Sequence, residues 1–83
     1  MKGESAMVKA YVLIMAEQGK TESVCNGLAK MDDVIQFDAV MGEYDVIAVI
    51  QAPDVSALGK SVVSELTKIP GVRRCNSHLV VKF

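Results

Sequence analysis

Tryptophan is absent, and two tyrosines and two phenylalanines are the whole aromatic complement of this 83-residue chain. A surface that reads bases or sugars by stacking needs more π-faces than that. Charge of one sign is missing too: nine basic residues stand against ten acidic ones, for a net charge of −1. The only basic run is Arg73-Arg74, which argues against direct nucleic-acid binding. Cys25 and Cys75 form no CxxC pair and have only His78 for company. That excludes a disulfide framework and a structural zinc site, and leaves two buried thiols in a reducing cytoplasm as the plain reading. No apolar run approaches the ~18 residues that span a bilayer. Nor is there a charged leader followed by an apolar core and a cleavage site. Residues Met1 to Ala6 carry no pattern and precede a second methionine, so a flexible leader is expected over 1–6 and a single domain over 7–83.

What the chain has is aliphatic. Hydrophobic residues make up 51% of it, nearly all Val, Ile, Leu, Ala and Met, a composition suited to sheets and close interfaces. Val8 to Met15 alternates with apolar residues on both parities and reads as a first strand buried on both faces. After Glu17-Gln18-Gly19-Lys20, Thr21 can cap a helix with Val24, Leu28 and Met31 on one stripe, ended by Asp32-Asp33. Val34 to Met41 is a second strand, with Ile35, Phe37, Ala39 and Met41 on one face. Val34, Gln36, Asp38 and Val40 take the other, a half-polar alternation that suits an edge. Gly42-Glu43-Tyr44 makes the turn into a third strand, Asp45 to Ala52. Pro53-Asp54 opens a second helix with Leu58, Val62, Leu66 and Ile69 at helical spacing. Pro70-Gly71 stops that helix, and Val72 to Phe83 is the fourth strand.

The order β-α-β-β-α-β predicts an α+β, ferredoxin-like fold: an antiparallel sheet of order 4-1-3-2 with both helices on one face. Nothing in the chain is left for the second face, yet the two central strands stay apolar on both parities. An apolar patch of that size exceeds what soluble monomers tolerate. Covering ~600 Å² of it would yield on the order of 15 kcal/mol before association costs. The expectation is an obligate homodimer, sheet against sheet, with Val12, Ile14, Ile47 and Val49 at the interface.

The element order, the hairpin Gly42-Glu43-Tyr44-Asp45-Val46 and the Pro70-Gly71-Val72 entry into the last strand resemble one known module. It is the effector-binding RAM domain of the Lrp/AsnC family of transcriptional regulators, and the resemblance covers about Val8 to Val81. Family members carry a DNA-binding domain before this module. Here that part is missing, so the chain resembles the stand-alone versions and direct operator binding is not expected. The resemblance implies dimers through the sheet, assembly into octamers or other rings, and co-assembly with full-length regulators. It also implies an amino acid or related small metabolite bound between protomers, and no cofactor. Carried over position by position, the effector residues are Met41, Gly42, Tyr44 and Asp45 at the turn and Ser77 on the last strand.

The residue types suit that ligand. Amides around Gly42 can cradle a carboxylate, Asp45 can pair with an ammonium group, and Tyr44 offers an apolar body with a polar tip. Each has a plainer use: Gly42 serving the turn, Asp45 bonding its own hairpin backbone, Tyr44 anchoring an interface, and Ser77 as a satisfied core hydroxyl. Two other readings share the element order. An amino-acid sensor of ACT type would use a turn glycine such as Gly19, but usually extends its sheet side by side. A dimeric ferredoxin-like enzyme of the monooxygenase type would need more than the lone His78. Gly19-Lys20-Thr21 lacks the glycine that a phosphate loop needs five residues earlier, where Ile14 stands.

Overall fold

The computed structural model of the protein describes residues 7–83, so the leader expected over 1–6 lies outside the described residues. Four strands and two helices follow in the order β1 (Val8–Ala16), α1 (Thr21–Ala29), β2 (Val34–Ala39), β3 (Val46–Ala52), α2 (Val55–Ser64) and β4 (Val72–Leu79). The strands form one antiparallel sheet of order β2-β3-β1-β4. The fold is ferredoxin-like, as the element order predicts.

Strand alternation decides which residues the helices cover. Ala10, Val12 and Ile14 of β1 and Val46, Ala48, Ile50 and Ala52 of β3 are buried with Val24 and Leu28 of α1 and Leu58 and Val62 of α2. Val12 and Ile14 are wholly inaccessible in the single protomer. Their assignment to a dimer interface is therefore corrected: the helices of their own chain already cover them. The opposite parity, Tyr11, Leu13 and Met15 with Ile47 and Val49, carries the free face.

Local chemistry moves several boundaries. Thr21 is the first helical residue rather than the cap; Lys20 holds the cap position, and its carbonyl accepts from the Val24 amide at 3.0 Å. Helix α1 stops at Ala29, before Asp32-Asp33. Its last turn tightens as the Lys30 and Met31 amides reach back three residues to Gly27 and Leu28. Asp54 does cap α2, its carboxylate accepting from the Ala57 amide at 2.7 Å. That helix ends at Ser64 and gives way to a 3₁₀ turn over Leu66–Lys68. Thr67 explains the break: its hydroxyl donates to the Val63 carbonyl at 2.6 Å, competing with the helical ladder. Leu66 and Ile69 are still buried. Ile69 packs so close to Gly27 that a side chain there would overlap it, which seats the turn on α1.

Strand β2 carries a bulge. Val34 stands opposite Ile50 while Gln36 stands opposite Val49, so Ile35 is the unpaired extra residue. The bulge swings Val34 to the helix side with Phe37, against the strict alternation expected from the sequence, and leaves Ile35 exposed. Strand β4 ends at Leu79 rather than Phe83, although the Val80 amide still donates to the Lys9 carbonyl at 2.8 Å.

Candidate functional site

The loop of residues 40–45 joins β2 to β3 and is tied down from its base. The Val40 amide donates to the Asp45 carbonyl, and the Asp45 amide donates to the Ile14 carbonyl, each at 2.9 Å. The Asp45 carboxylate accepts from the Ala16 amide at 2.8 Å. That contact falls where the β1–β4 register shifts between Met15 and Ala16, so the side chain holds a backbone donor that the irregular ladder leaves free. Asp45 thus has a structural role, through one of its two oxygens.

At the tip, Gly42 has φ of 145°, and an added Cβ would meet nothing within 4 Å. Glycine is required there by backbone conformation and not by crowding. Met41 beside it is fully exposed, at 101%. Tyr44 turns back across the sheet, and its hydroxyl accepts from Asn76 Nδ2 at 2.7 Å. Asn76 lies on β4 opposite Leu13, so the tyrosine links the hairpin to the far edge strand over the face that the helices leave bare.

Ser77 points the other way. It stands opposite Val12, on the parity of the helix-covered core, and is exposed because β4 is an edge. Within one protomer the structure brings Tyr44 and Asp45 into one neighbourhood with Asn76, and leaves Ser77 on the opposite side of the strand. Asn76 escapes a reading of the sequence because its value comes from a partner 32 positions away. Strand parity is the available signal: Asn76 shares a face with Leu13, and Ser77 does not.

The remaining face is apolar in the middle and polar at its rims. Val49 is only 8% accessible and Tyr11 48%, with Leu13, Met15 and Ile47 between them. Two concavities of the protomer lie away from the hairpin. One, about 480 Å³, runs along α1 beside Pro70 and is lined by Lys20, Ser23 and Asn26 among others. The second, about 510 Å³, sits at the opposite end of the sheet among Met7, Lys9, Gln51, Val80 and Lys82. The hairpin residues line neither. Among the described residues no cluster of three or more His, Cys, Asp or Glu side chains could hold a metal ion. No described helix is long and apolar enough to cross a membrane. Cys25 and Cys75 are both half-buried and free. Burial pushes both thiols up, and Glu22 adds to the effect at Cys25.

The Lrp/AsnC ligand binding domain matches residues 9–83, nearly the whole chain. HTH-type transcriptional regulator Ptr1 of Methanocaldococcus jannaschii is 25% identical over 75 residues, covering 90% of this chain and 51% of its own length. The chain thus spans about half the length of the curated relatives it matches. A protein of Thermus thermophilus superposes with a TM-score of 0.85 at 25% identity, covering 92% of this chain and 95% of that one. A transcriptional regulator of Neisseria meningitidis, solved in complex with L-Met, has the same fold with a TM-score of 0.85 at 23% identity, covering 99% of this chain and 56% of that one. With four strands in the matching order, two helices on one face and a family match that begins at the first strand and runs to Phe83, the chain belongs to the Lrp/AsnC ligand-binding-domain family.

Proposed function

We propose that the protein is an effector-binding and oligomerisation module that acts in transcription regulation, with an amino acid as its effector and no catalytic chemistry of its own. It works in the cytoplasm as a homodimer that builds larger rings, and it modulates full-length Lrp/AsnC regulators by co-assembling with them. The observation that carries this reading is the hairpin of residues 40–45, pinned at its base by Asp45 and linked by Tyr44 to Asn76 above an apolar sheet face. A structure of that kind offers half a ligand cleft and half an interface.

The ligand chemistry follows from the groups present. The glycine at the tip leaves backbone amides unobstructed for a carboxylate. The Asp45 oxygen not engaged by Ala16 is the acceptor for an ammonium group. Met41 and the ring of Tyr44 supply a wall for an apolar side chain. The L-Met bound to the Neisseria regulator is a ligand of this chemical class. Ser77, on the other side of β4, has no place in a site built on the bare face, and Asn76 takes its role. The interface is built from Leu13, Met15, Ile47 and Val49.

The test is thermal unfolding of the full chain against each of the twenty amino acids. A ligand at ~100 times its Kd contributes about 2.7 kcal/mol, enough to raise Tm by several degrees in a domain of this size. One or a few related amino acids should shift the midpoint while the rest do nothing. Twenty flat curves would remove the sensing role. A concentration-independent monomer mass in sedimentation would remove the dimer.

A further inference from the structure

The concavity at the end of the sheet opposite the hairpin is assembled by strand pairing. Gln51 stands opposite Lys9 across β3 and β1, and the Val80 amide donates to the Lys9 carbonyl at 2.8 Å. These three residues form the row next to Val49, Tyr11 and His78, on the face without helices. Met7 and Lys82 join them in lining a space of about 510 Å³. That volume falls within the range of small-molecule sites, roughly 300–1,000 Å³. Lys9, Gln51 and Val80 are half-buried, and Lys82 is exposed.

The chemistry of this lining is one-sided. Two lysines and one side-chain amide border the space, and none of its described lining residues is acidic. The chain as a whole is balanced, with nine basic residues and ten acidic ones, so the imbalance is local. A half-buried lysine lays its aliphatic stem along the sheet while its ammonium stays at the opening. Two like charges around one concave space repel each other and concentrate positive potential there. A bound anion removes that cost and gains charge-assisted hydrogen bonds from both. Val80 and Met7 add an apolar wall beside the charges.

We propose that this cavity is a second ligand site, one that takes small organic carboxylates lacking an α-ammonium group, aliphatic α-keto acids above all. Lys9 and Lys82 hold the carboxylate, each ammonium having three donors to give. The Gln51 amide donates to the keto oxygen, and the aliphatic chain rests on Val80 and Met7. Amino acids are excluded by repulsion, since their ammonium group would enter a space bordered by two more and by no carboxylate. The hairpin has the reverse arrangement, an acidic oxygen on Asp45 and no lysine among residues 40–45. Where the hairpin takes an amino acid, the two ends of one sheet tell that amino acid from its deaminated counterpart. The keto-acid site itself is made by one protomer and does not depend on the hairpin reading.

Amide proton–nitrogen correlation spectra of the full chain test this, because they show which residues respond. The probes are α-ketoisocaproate, leucine and inorganic phosphate, titrated at constant ionic strength. The expected result is a saturable shift of the Lys9, Gln51, Val80 and Lys82 amides with α-ketoisocaproate, and a response there at least about tenfold weaker with the other two. Lys9→Met and Lys82→Met should each raise the dissociation constant for the keto acid roughly tenfold or more. Lys82 is exposed near the end of the chain, so its variant keeps the test open should Lys9→Met fail to fold. No saturable shift at these amides, or shifts confined to residues 40–45, would overturn the site. Equal response to leucine would overturn the exclusion of amino acids, and equal response to phosphate the assignment to carboxylates. Unchanged affinity in the Lys82→Met chain would remove the two-lysine clamp. Failure of leucine to move residues 40–45 bears on the hairpin reading alone, so the two proposals fail separately.

Discussion

The two faces of this sheet are made by the same central strands, yet one is finished and the other is not. On the helix side, β1 contributes Ala10, Val12 and Ile14 and β3 contributes Val46, Ala48, Ile50 and Ala52, all of them sealed by α1, α2 and the 3₁₀ turn. On the bare side, the intervening residues Tyr11, Leu13, Met15, Ile47 and Val49 shade one another with no covering layer among the described residues. The first face shows what 83 residues can bury unaided. The second shows apolar surface that the described residues leave uncovered. Stability should therefore reside on one side and association on the other, and substitutions can separate the two.

The largest effect is expected from moving one residue along β1. Ile14→Ala opens a cavity in a site with no solvent access and should cost about 2–5 kcal/mol of unfolding free energy. Leu13→Asp, on the neighbouring residue, should leave the helix-side core intact while placing a charge in the middle of the bare face. Its predicted signature is loss of the proposed dimer in sedimentation with retained far-ultraviolet dichroism. Equal destabilisation by both substitutions, at low concentration where the protein is monomeric, would break the division between the faces.

How much of this is legible in the residues follows from the same division. The element order comes from periodicity and turn chemistry, both local, and it is the order found. The two-sided apolar pattern of β1 and β3 is also legible, but not which parity the helices take. Val12 and Ile14 look no different from Leu13 and Met15 until the connections place α1 and α2. The bulge at Ile35 is hidden because nothing in Val34-Ile35-Gln36 marks it as irregular, and only pairing with Val49 and Ile50 reveals it. The end of α2 depends on a contact that periodicity does not encode, the Thr67 hydroxyl taking the Val63 carbonyl. At the site, Gly42, Tyr44 and Asp45 can be read as a turn with polar handles. Asn76 cannot, since its bond to Tyr44 spans β1 and depends on the completed sheet.

Asp45 tests the middle of the scale, where a single side chain serves both the fold and the cleft. Asp45→Ala leaves the Ala16 amide without its acceptor at 2.8 Å. The half-buried site should lose about 1–2 kcal/mol, measured as a lower denaturant midpoint at unchanged slope. Asp45→Asn keeps an acceptor oxygen for that amide but removes the charge. It should recover most of the stability while still failing to bind an ammonium-bearing effector. Recovery of both together would assign Asp45 to the hairpin alone.

Tyr44→Phe should have the smallest effect on the fold and the most informative one on the site. The bond from Asn76 to the Tyr44 hydroxyl is solvent-accessible, so water replaces either partner at little cost, and stability should change by less than about 0.5 kcal/mol. The ring stays, and with it any wall it offers to an effector. What disappears is the tie that holds the ring across the sheet toward β4. If that tie positions the cleft, the variant should unfold at the parent's midpoint without effector and show a reduced thermal shift with it. A variant whose effector response matched the parent would reduce the bond to a surface contact.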